Sequence, residues 1–238
     1  MTTRSVGVVG DETVAQRLGD AGVAVERRPD GPVPETDVVV AVGQTALSAV
    51  ARAHSNPLVL PVDAGRGVRS VPRESVTAAV RGLDDAATER HRTLSVTRDG
   101  ERVGRAVWDV TLVTEDAARI SEFGVTTPTD AIDAFRADGV VVATTAGSPG
   151  YASRVGGPVL APGPVAVVAP IAPFATNPDH WVLPIERLTL SVERDEATVT
   201  LLIDDTPAGT VCQGDPVTLS DAGTVRVAVV EQSRSRFT

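Results

Sequence analysis

No lysine occurs in the 238 residues, so all 22 basic side chains are arginine. This excludes the phosphate-binding lysine of a P-loop and every Schiff-base mechanism. Aromatic residues amount to 3%, which leaves valine, alanine, leucine and isoleucine to fill the core. The single cysteine, Cys212, cannot close an internal disulfide and rules out thiolate zinc clusters. His54, His91 and His180 lie far apart, in no metal-ligand spacing, so no protein metal site is expected. Basic runs are missing too, and the formal net charge is -9. That balance argues against nucleic acid or an anionic membrane as a partner. The apolar run in MTTRSVGVVGDE meets Asp11 almost at once, too early for a signal peptide or a membrane span. A cytoplasmic protein is the expectation.

What is present divides in two. The length suffices for one large or two modest domains. Up to about residue 88, short apolar runs alternate with helical patterns, which predicts an N-terminal α/β domain with a parallel sheet. Strands are expected at residues 5–9, in DVVVAVG and at 57–62, with helices at 12–21, 45–53 and 73–83 and an Arg/Pro/Gly-rich turn after the first helix. From residue 89 the period becomes two. TLSVTRDGERVGRAVWDVTLV alternates around Asp99-Gly100, a two-residue hairpin signal. Further strands are expected at 139–144, 165–169, 188–193, 198–203 and 225–230, so residues 89–238 read as a mostly β, sandwich-like domain whose last residues can pack back on the first.

The segment RADGVVVATTAGSPGYASRVGGP, residues 136–158, resembles the NAD kinase family. There an Asp-Gly pair precedes a strand, a Thr-Pro-Thr-Gly-Ser-Thr-Ala-Tyr turn and a Gly-Gly-Pro. Upstream, AVWDVTL stands where that family has Ala-Leu-Asn-Glu-Val; downstream, VVAPIAPFATNPDHWVLP follows its apolar strand, its Pro-Ile-x-Pro turn and its Val-Leu-Pro. The likeness runs from about residue 5 to Phe237. It implies the NAD kinase-like two-domain architecture, a site in the cleft between the domains, NAD or NADP as substrate or ligand, and a homo-oligomer whose subunits share the pocket. Mg²⁺ and ATP, or polyphosphate, are implied if the chain is active.

By the same resemblance Asp109 takes the place of a glutamate that hydrogen-bonds adenine and ribose, and Trp108 that of an asparagine. Trp108 either stacks on adenine or fills the core. Arg136 and Asp138 match positions lining the nucleotide pocket; the alternatives are a surface ion pair and a strand-entry turn. Ala146, Gly147 and Ser148, being small, let backbone amides approach phosphate or ribose oxygens. Tyr151, the only tyrosine, offers a flat face for a ring or caps a core. Ala172 lies in the Pro-Ile-x-Pro turn and joins the dinucleotide-binding set, as do Gly43 and Thr45.

Family members end the first domain's key strand in Gly-Gly-Asp-Gly-Thr, whose aspartate takes the proton from the adenosine 2'-hydroxyl. Here DVVVAVG runs into Gly43, Gln44 and Thr45. Gln44 can orient a hydroxyl but cannot accept a proton at neutral pH. Asp63, after the next strand, is either a substitute carboxylate or a turn residue. Three functions stay open: a kinase making NADP; a degenerate homologue that senses NAD(P) or serves as a partner subunit; and, less favoured, a lipid or sugar kinase. A Rossmann dehydrogenase lacks support, because Gly7 and Gly10 do not complete its glycine fingerprint.

An acidic, lysine-free surface suits a very salty cytoplasm, where the screening length falls to about 3 Å at 1 M salt; GC-rich codon bias is the alternative. The salt reading predicts a melting temperature that climbs with KCl in thermal unfolding. Full stability in dilute buffer contradicts it.

Overall fold

A run of apolar residues with no polar interruption needs cover on both faces, and the computed structural model supplies it. The structure describes residues 5–27, 33–53, 55–116, 119–194 and 197–237, so the Arg/Pro/Gly-rich turn at 28–32 and His54 lie outside the described residues. It divides into two units, residues 1–91 with 224–238, and residues 92–223. In the first unit the order is β1 (Val6–Val9), α1 (Glu12–Asp20), β2 (Val25–Arg27), β3 (Val38–Val42), α2 (Gln44–Arg52), β4 (Leu58–Val62) and α3 (Val76–Arg81). Strands β2, β1, β3 and β4 lie side by side, all parallel. Every residue of β3 is buried. Val38, Val40 and Val42 join a core with Val14, Leu18, Val76 and Ala79 of α1 and α3. Val39 and Ala41, one residue out of phase, serve the opposite face, and α2 packs on β3. Arg226 and Val227 extend the sheet beyond β4, again in parallel register.

The helix expected over 73–83 is broken. A 3-10 turn, Arg73–Ser75, leads into α3, and another, Leu83–Asp85, follows it. The Gly82 amide bonds the Ala78 and Ala79 carbonyls and closes α3 before Leu83. His91, at the end of this unit, is buried, and desolvation is the main cause that holds its pKa below the ordinary histidine value. Among the described residues no helix is long and apolar enough to cross a membrane.

The second unit is a β-sandwich. Its strands are the later part of β5 (Ala87–Arg98), β6 (Glu101–Ala106), β7 (Asp109–Thr114), β8 (Ser121–Thr126), β9 (Ala131–Ala137), β10 (Gly139–Thr144), β11 (Val165–Ile171), β12 (Trp181–Pro184), β13 (Arg187–Arg194), β14 (Val199–Ile203), β15 (Thr206–Val211) and the start of β16 (Val217–Val229), with one short helix, α4 (Tyr151–Arg154). One sheet runs β12-β11-β10-β7-β14-β15. The other contains β16-β13-β8-β9 together with β5 and β6. Leu94, Phe123, Leu190 and Leu219 from the second sheet meet Leu112, Val140, Val168 and Leu201 from the first in one core. Asp99 and Gly100 turn the β5–β6 hairpin with φ of 47° and 80°, the geometry their pairing predicts. Phe135 of β9 stacks on Trp181 of β12 with centroids 5.7 Å apart, joining an edge strand of each sheet.

Candidate functional site

In the first unit the candidate residues stand where parallel strands end, the usual ligand position of an open α/β sheet. Strand β3 turns into α2 at Gly43, whose φ of 84° and ψ of 170° favour glycine; a Cβ there would meet nothing within 4 Å, so backbone conformation rather than space selects the residue. The Gly43 amide donates to the Val62 carbonyl at 2.8 Å, tying the turn to the end of β4. Gln44 and Thr45 open α2 with exposed side chains. Asp63 follows β4 at φ 46°, and its Oδ2 lies 3.4 Å from Arg73 Nε. Arg73 Nη1 in turn lies 2.7 Å from Asp11 Oδ2, while Asp11 Oδ1 accepts from the Val14 amide at 2.9 Å and caps α1. The Asp63 carboxylate is therefore the outer end of a chain of three alternating charges.

In the second unit the candidates gather where β7 begins. The two-residue β14–β15 turn consists of Asp204 and Asp205, both at positive φ, 48° and 61°. Non-glycine residues adopt this conformation at a cost. The compensation is visible: Asp204 Oδ1 accepts from the amides of Trp108 at 2.8 Å, Val107 at 3.1 Å and Asp109 at 3.3 Å, and the Asp204 amide donates to the Asp109 carbonyl at 3.0 Å. The same peptide run is held from the other side by Thr144. Its amide donates to the Trp108 carbonyl at 2.9 Å, and its hydroxyl donates to the Val107 carbonyl at 2.5 Å and accepts from the Gly147 amide at 3.1 Å.

Gly147 lies flat on that run: a Cβ would sit 1.9 Å from the Trp108 carbonyl oxygen, so no other residue fits. The Ser148 amide bonds the Thr144 carbonyl at 2.8 Å, and its hydroxyl donates to the Thr145 carbonyl at 3.0 Å and accepts from the Leu160 amide at 2.9 Å. The amides of Gly147 and Ser148 are thus engaged inside the turn, which carries Ala146 buried and delivers Tyr151, 39% exposed, at the start of α4.

Trp108 is 6% exposed, and its indole Nε1 has no hydrogen-bond partner among the described residues. The Asp138 amide donates to the Ile171 carbonyl at 2.9 Å, which sets Asp138 beside the turn holding Ala172, itself exposed at φ 45°. The Arg136 carbonyl accepts from the Phe174 amide at 2.8 Å, and its side chain is exposed. The second unit therefore collects Trp108, Asp109, Ala146, Gly147 and Ser148 in one place, and Arg136, Asp138 and Ala172 along one strand crossing.

Asp109 is 7% exposed, and its pKa is raised to about 7, first by burial and then by the charges of Asp205 and Asp204, against the Thr111 hydroxyl at 3.5 Å. Near neutral pH it is a carboxylic acid as much as a carboxylate, able to donate as well as accept.

A parallel α/β unit with a glycine turn at its strand ends, joined to a β-sandwich bearing a buried acid and a small-residue turn, defines a two-unit nucleotide-binding kinase fold. The model of the ATP-NAD kinase C-terminal domain matches residues 108–231, and the chain belongs to the NAD kinase family. An NAD kinase of Methanosarcina barkeri is 29% identical over 79% of this chain and 70% of its own length. One from Chloroflexus aggregans is 31% identical over 82% and 76%. Among solved structures, an NAD kinase from Archaeoglobus fulgidus in complex with ATP superposes with a TM-score of 0.79 at 21% identity, covering 98% of this chain and 95% of that one. A yeast NADH kinase complexed with NADH also gives 0.79, at 16% identity, covering 96% and 84%. These two show the shared fold.

Sequence reasoning singled out neither Thr144 nor Asp204, although both hold the candidate residues in place. An Asp-Asp pair between apolar runs was the only available signal, and it marks a turn without saying what its carboxylate grips.

The Asp109 pKa has a measurable consequence. A carboxyl whose folded pKa lies above its unfolded value keeps a proton that the unfolded chain releases, so stability declines as pH rises from about 4 through 7. Replacing Asp109 with Asn removes this dependence. In urea unfolding the variant is expected to match the parent near pH 4 and to exceed it above pH 7 by roughly 3–5 kcal/mol; a pH-independent difference contradicts the assignment.

Proposed function

We propose that the chain binds NAD or NADP and, with ATP or polyphosphate as donor, slowly transfers a phosphoryl group to the 2'-hydroxyl of NAD. The arrangement around Asp109 carries this reading: a buried acid titrating near neutrality, on a peptide run tied down by Asp204 and packed under the turn that leads to Tyr151. A group that both donates and accepts suits adenosine, which offers ring-nitrogen acceptors and ribose hydroxyls. Asp109, Arg136, Asp138, Tyr151 and Ala172 meet the dinucleotide. Ala146, Gly147 and Ser148 form the frame under it, and Trp108 fills the space behind. The relative whose structure is complexed with NADH supports a nicotinamide dinucleotide as ligand. A homo-oligomer sharing the pocket belongs to the same reading.

Transfer needs a proton acceptor for the 2'-hydroxyl. Gln44, between Gly43 and Thr45, orients the hydroxyl without taking its proton. Asp63 is a carboxylate at a neighbouring strand end, and its Oδ2 already lies 3.4 Å from Arg73 Nε. Absence of a positioned base costs on the order of 10² to 10⁴ in rate. Mg²⁺, when bound, neutralises phosphate charge. Among the described residues no group of three or more His, Cys, Asp or Glu converges.

A second reading, binding without turnover in a sensing or partner-subunit role, is favoured by the carboxamide of Gln44 itself. Calorimetry with NAD and NADP in high KCl, followed by an assay of NADP formation, separates the two. Slow turnover that Gln44→Asp raises by about 10² or more, the range expected of a general base, supports the kinase. Tight binding with no turnover in either protein supports the second reading, and failure to bind either dinucleotide overturns both.

A further inference from the structure

A cavity of about 550 Å³ lies in the first unit at the opposite ends of its strands from Gly43 and Asp63, where β3 and β4 begin. Its wall is a row across three strands: Val38 of β3 stands in register with Leu58 of β4, and Leu58 with Arg226 of β16. Side chains alternate along a strand, so Arg226 shares a face with Ala228, which lies with Val38 in the core under α1 and α3; Leu58 packs against the same core. The row is the end rung of that core, and its third member is a guanidinium instead of an apolar side chain. The rim comes from the segments that lead into β3 and β4. The Leu58 amide donates to the Asp37 carbonyl at 2.8 Å, and the Thr36 hydroxyl donates to the Val38 carbonyl at 2.7 Å and accepts from the Gly7 amide at 3.1 Å. These bonds hold the rim in place through the fold itself.

Opposite charges line different parts of this cavity. Arg226 is partly buried beside Leu58, and among the described residues none pairs with its side chain. A guanidinium drawn out of water keeps its charge at any working pH and gains most from an anion with two oxygens to match its fork, as a carboxylate has. Glu35 and Asp37, both exposed at the rim, supply two negative charges, with Ser55 and Asn56 as neutral polar groups. The complement of one positive and two negative groups is a molecule with one carboxylate and two cationic groups. A simple anion would meet the rim carboxylates, and a polyamine would set like charge against Arg226. The volume falls within the roughly 300–1,000 Å³ of small-molecule sites.

We propose that this cavity binds a basic α-amino acid, its carboxylate on Arg226 and its two cationic groups on Glu35 and Asp37. The site is separate from the strand ends that hold Gly43, Gln44 and Asp63, and it stands without the phosphoryl-transfer reading. Because Arg226 lies on β16 and the carboxylates precede β3, the ligand ties those two strands together across β4.

The test is calorimetric titration of L-arginine into the full chain at one fixed KCl concentration, with agmatine, which lacks the carboxylate, as the comparison. The parent is expected to bind L-arginine saturably and agmatine roughly tenfold or more weakly, the scale of a lost charge-assisted contact. Arg226→Gln should lower the L-arginine affinity by a similar factor without weakening agmatine, and Glu35→Gln/Asp37→Asn should weaken both. Arg187→Gln, at an exposed position in the other unit, should change neither. Amide chemical shifts of Val38, Leu58 and Arg226 in the parent, followed during the same titration, locate the ligand without any substitution, and a thermal melt of each variant shows that it is folded. Absence of saturable L-arginine binding, agmatine binding as tight as that of L-arginine, unchanged L-arginine affinity in Arg226→Gln, or shifts confined to residues away from that row overturns the proposal. NAD titrated into the same samples reports on the dinucleotide site separately.

Discussion

One carboxylate organises the candidate residues of the sandwich unit. Asp204 occupies a strained two-residue turn and accepts from three successive amides, at Val107, Trp108 and Asp109. Without it, three backbone donors at the entrance to β7 would need other partners in a place where little water reaches. Because the run is fixed from below by Asp204 and from the side by Thr144, Gly147 can lie against it, and the turn ending at Tyr151 acquires a single position. Burial first, then Asp205 and then this same carboxylate, press Asp109 toward its protonated form. Backbone strain at Asp204 is the cost that its three hydrogen bonds offset.

The first unit solves a different problem. Its sheet is buried on both faces, so its chemistry is confined to strand ends, where Gly10, Gly43 and Asp63 leave the helical and extended regions of backbone space. The turn after β3 has a glycine where backbone conformation favours one, Gly43 at φ 84°, followed by the carboxamide of Gln44. Three arginines, Arg66, Arg73 and Arg234, stand around the neighbouring end of β4.

Much of this was legible in the amino-acid order. Uninterrupted VVVAV reads as a doubly covered strand and is one, Asp99-Gly100 reads as a tight hairpin turn and is one, and residues 139–144 form a strand with those bounds. Strands β2, β8, β9, β12 and β15 were not anticipated. β2 has three residues, β9 is an edge strand with mostly exposed side chains, β12 has four residues, and β15 carries proline and glycine; β8 does alternate, with Phe123 and Val125 buried, but over only two apolar positions. Strand β16 starts eight residues before the expected 225, at Val217, because Ser220, Asp221 and Gly223 read as a turn. Candidate site residues were nominated through family likeness, whereas the contacts that Thr144 and Asp204 make join distant segments. No local pattern encodes those contacts.

Amide hydrogen exchange in Asp204→Ala tests the central claim most directly. If one carboxylate holds the entrance to β7, exchange at Val107, Trp108, Asp109 and Gly147 should speed up by at least about tenfold, the scale of losing a charge-assisted hydrogen bond, while Leu112, Val140 and Leu190 stay protected. Unchanged protection at those four amides would mean that the run is held by the sandwich around it, and that Asp204 is a turn residue only.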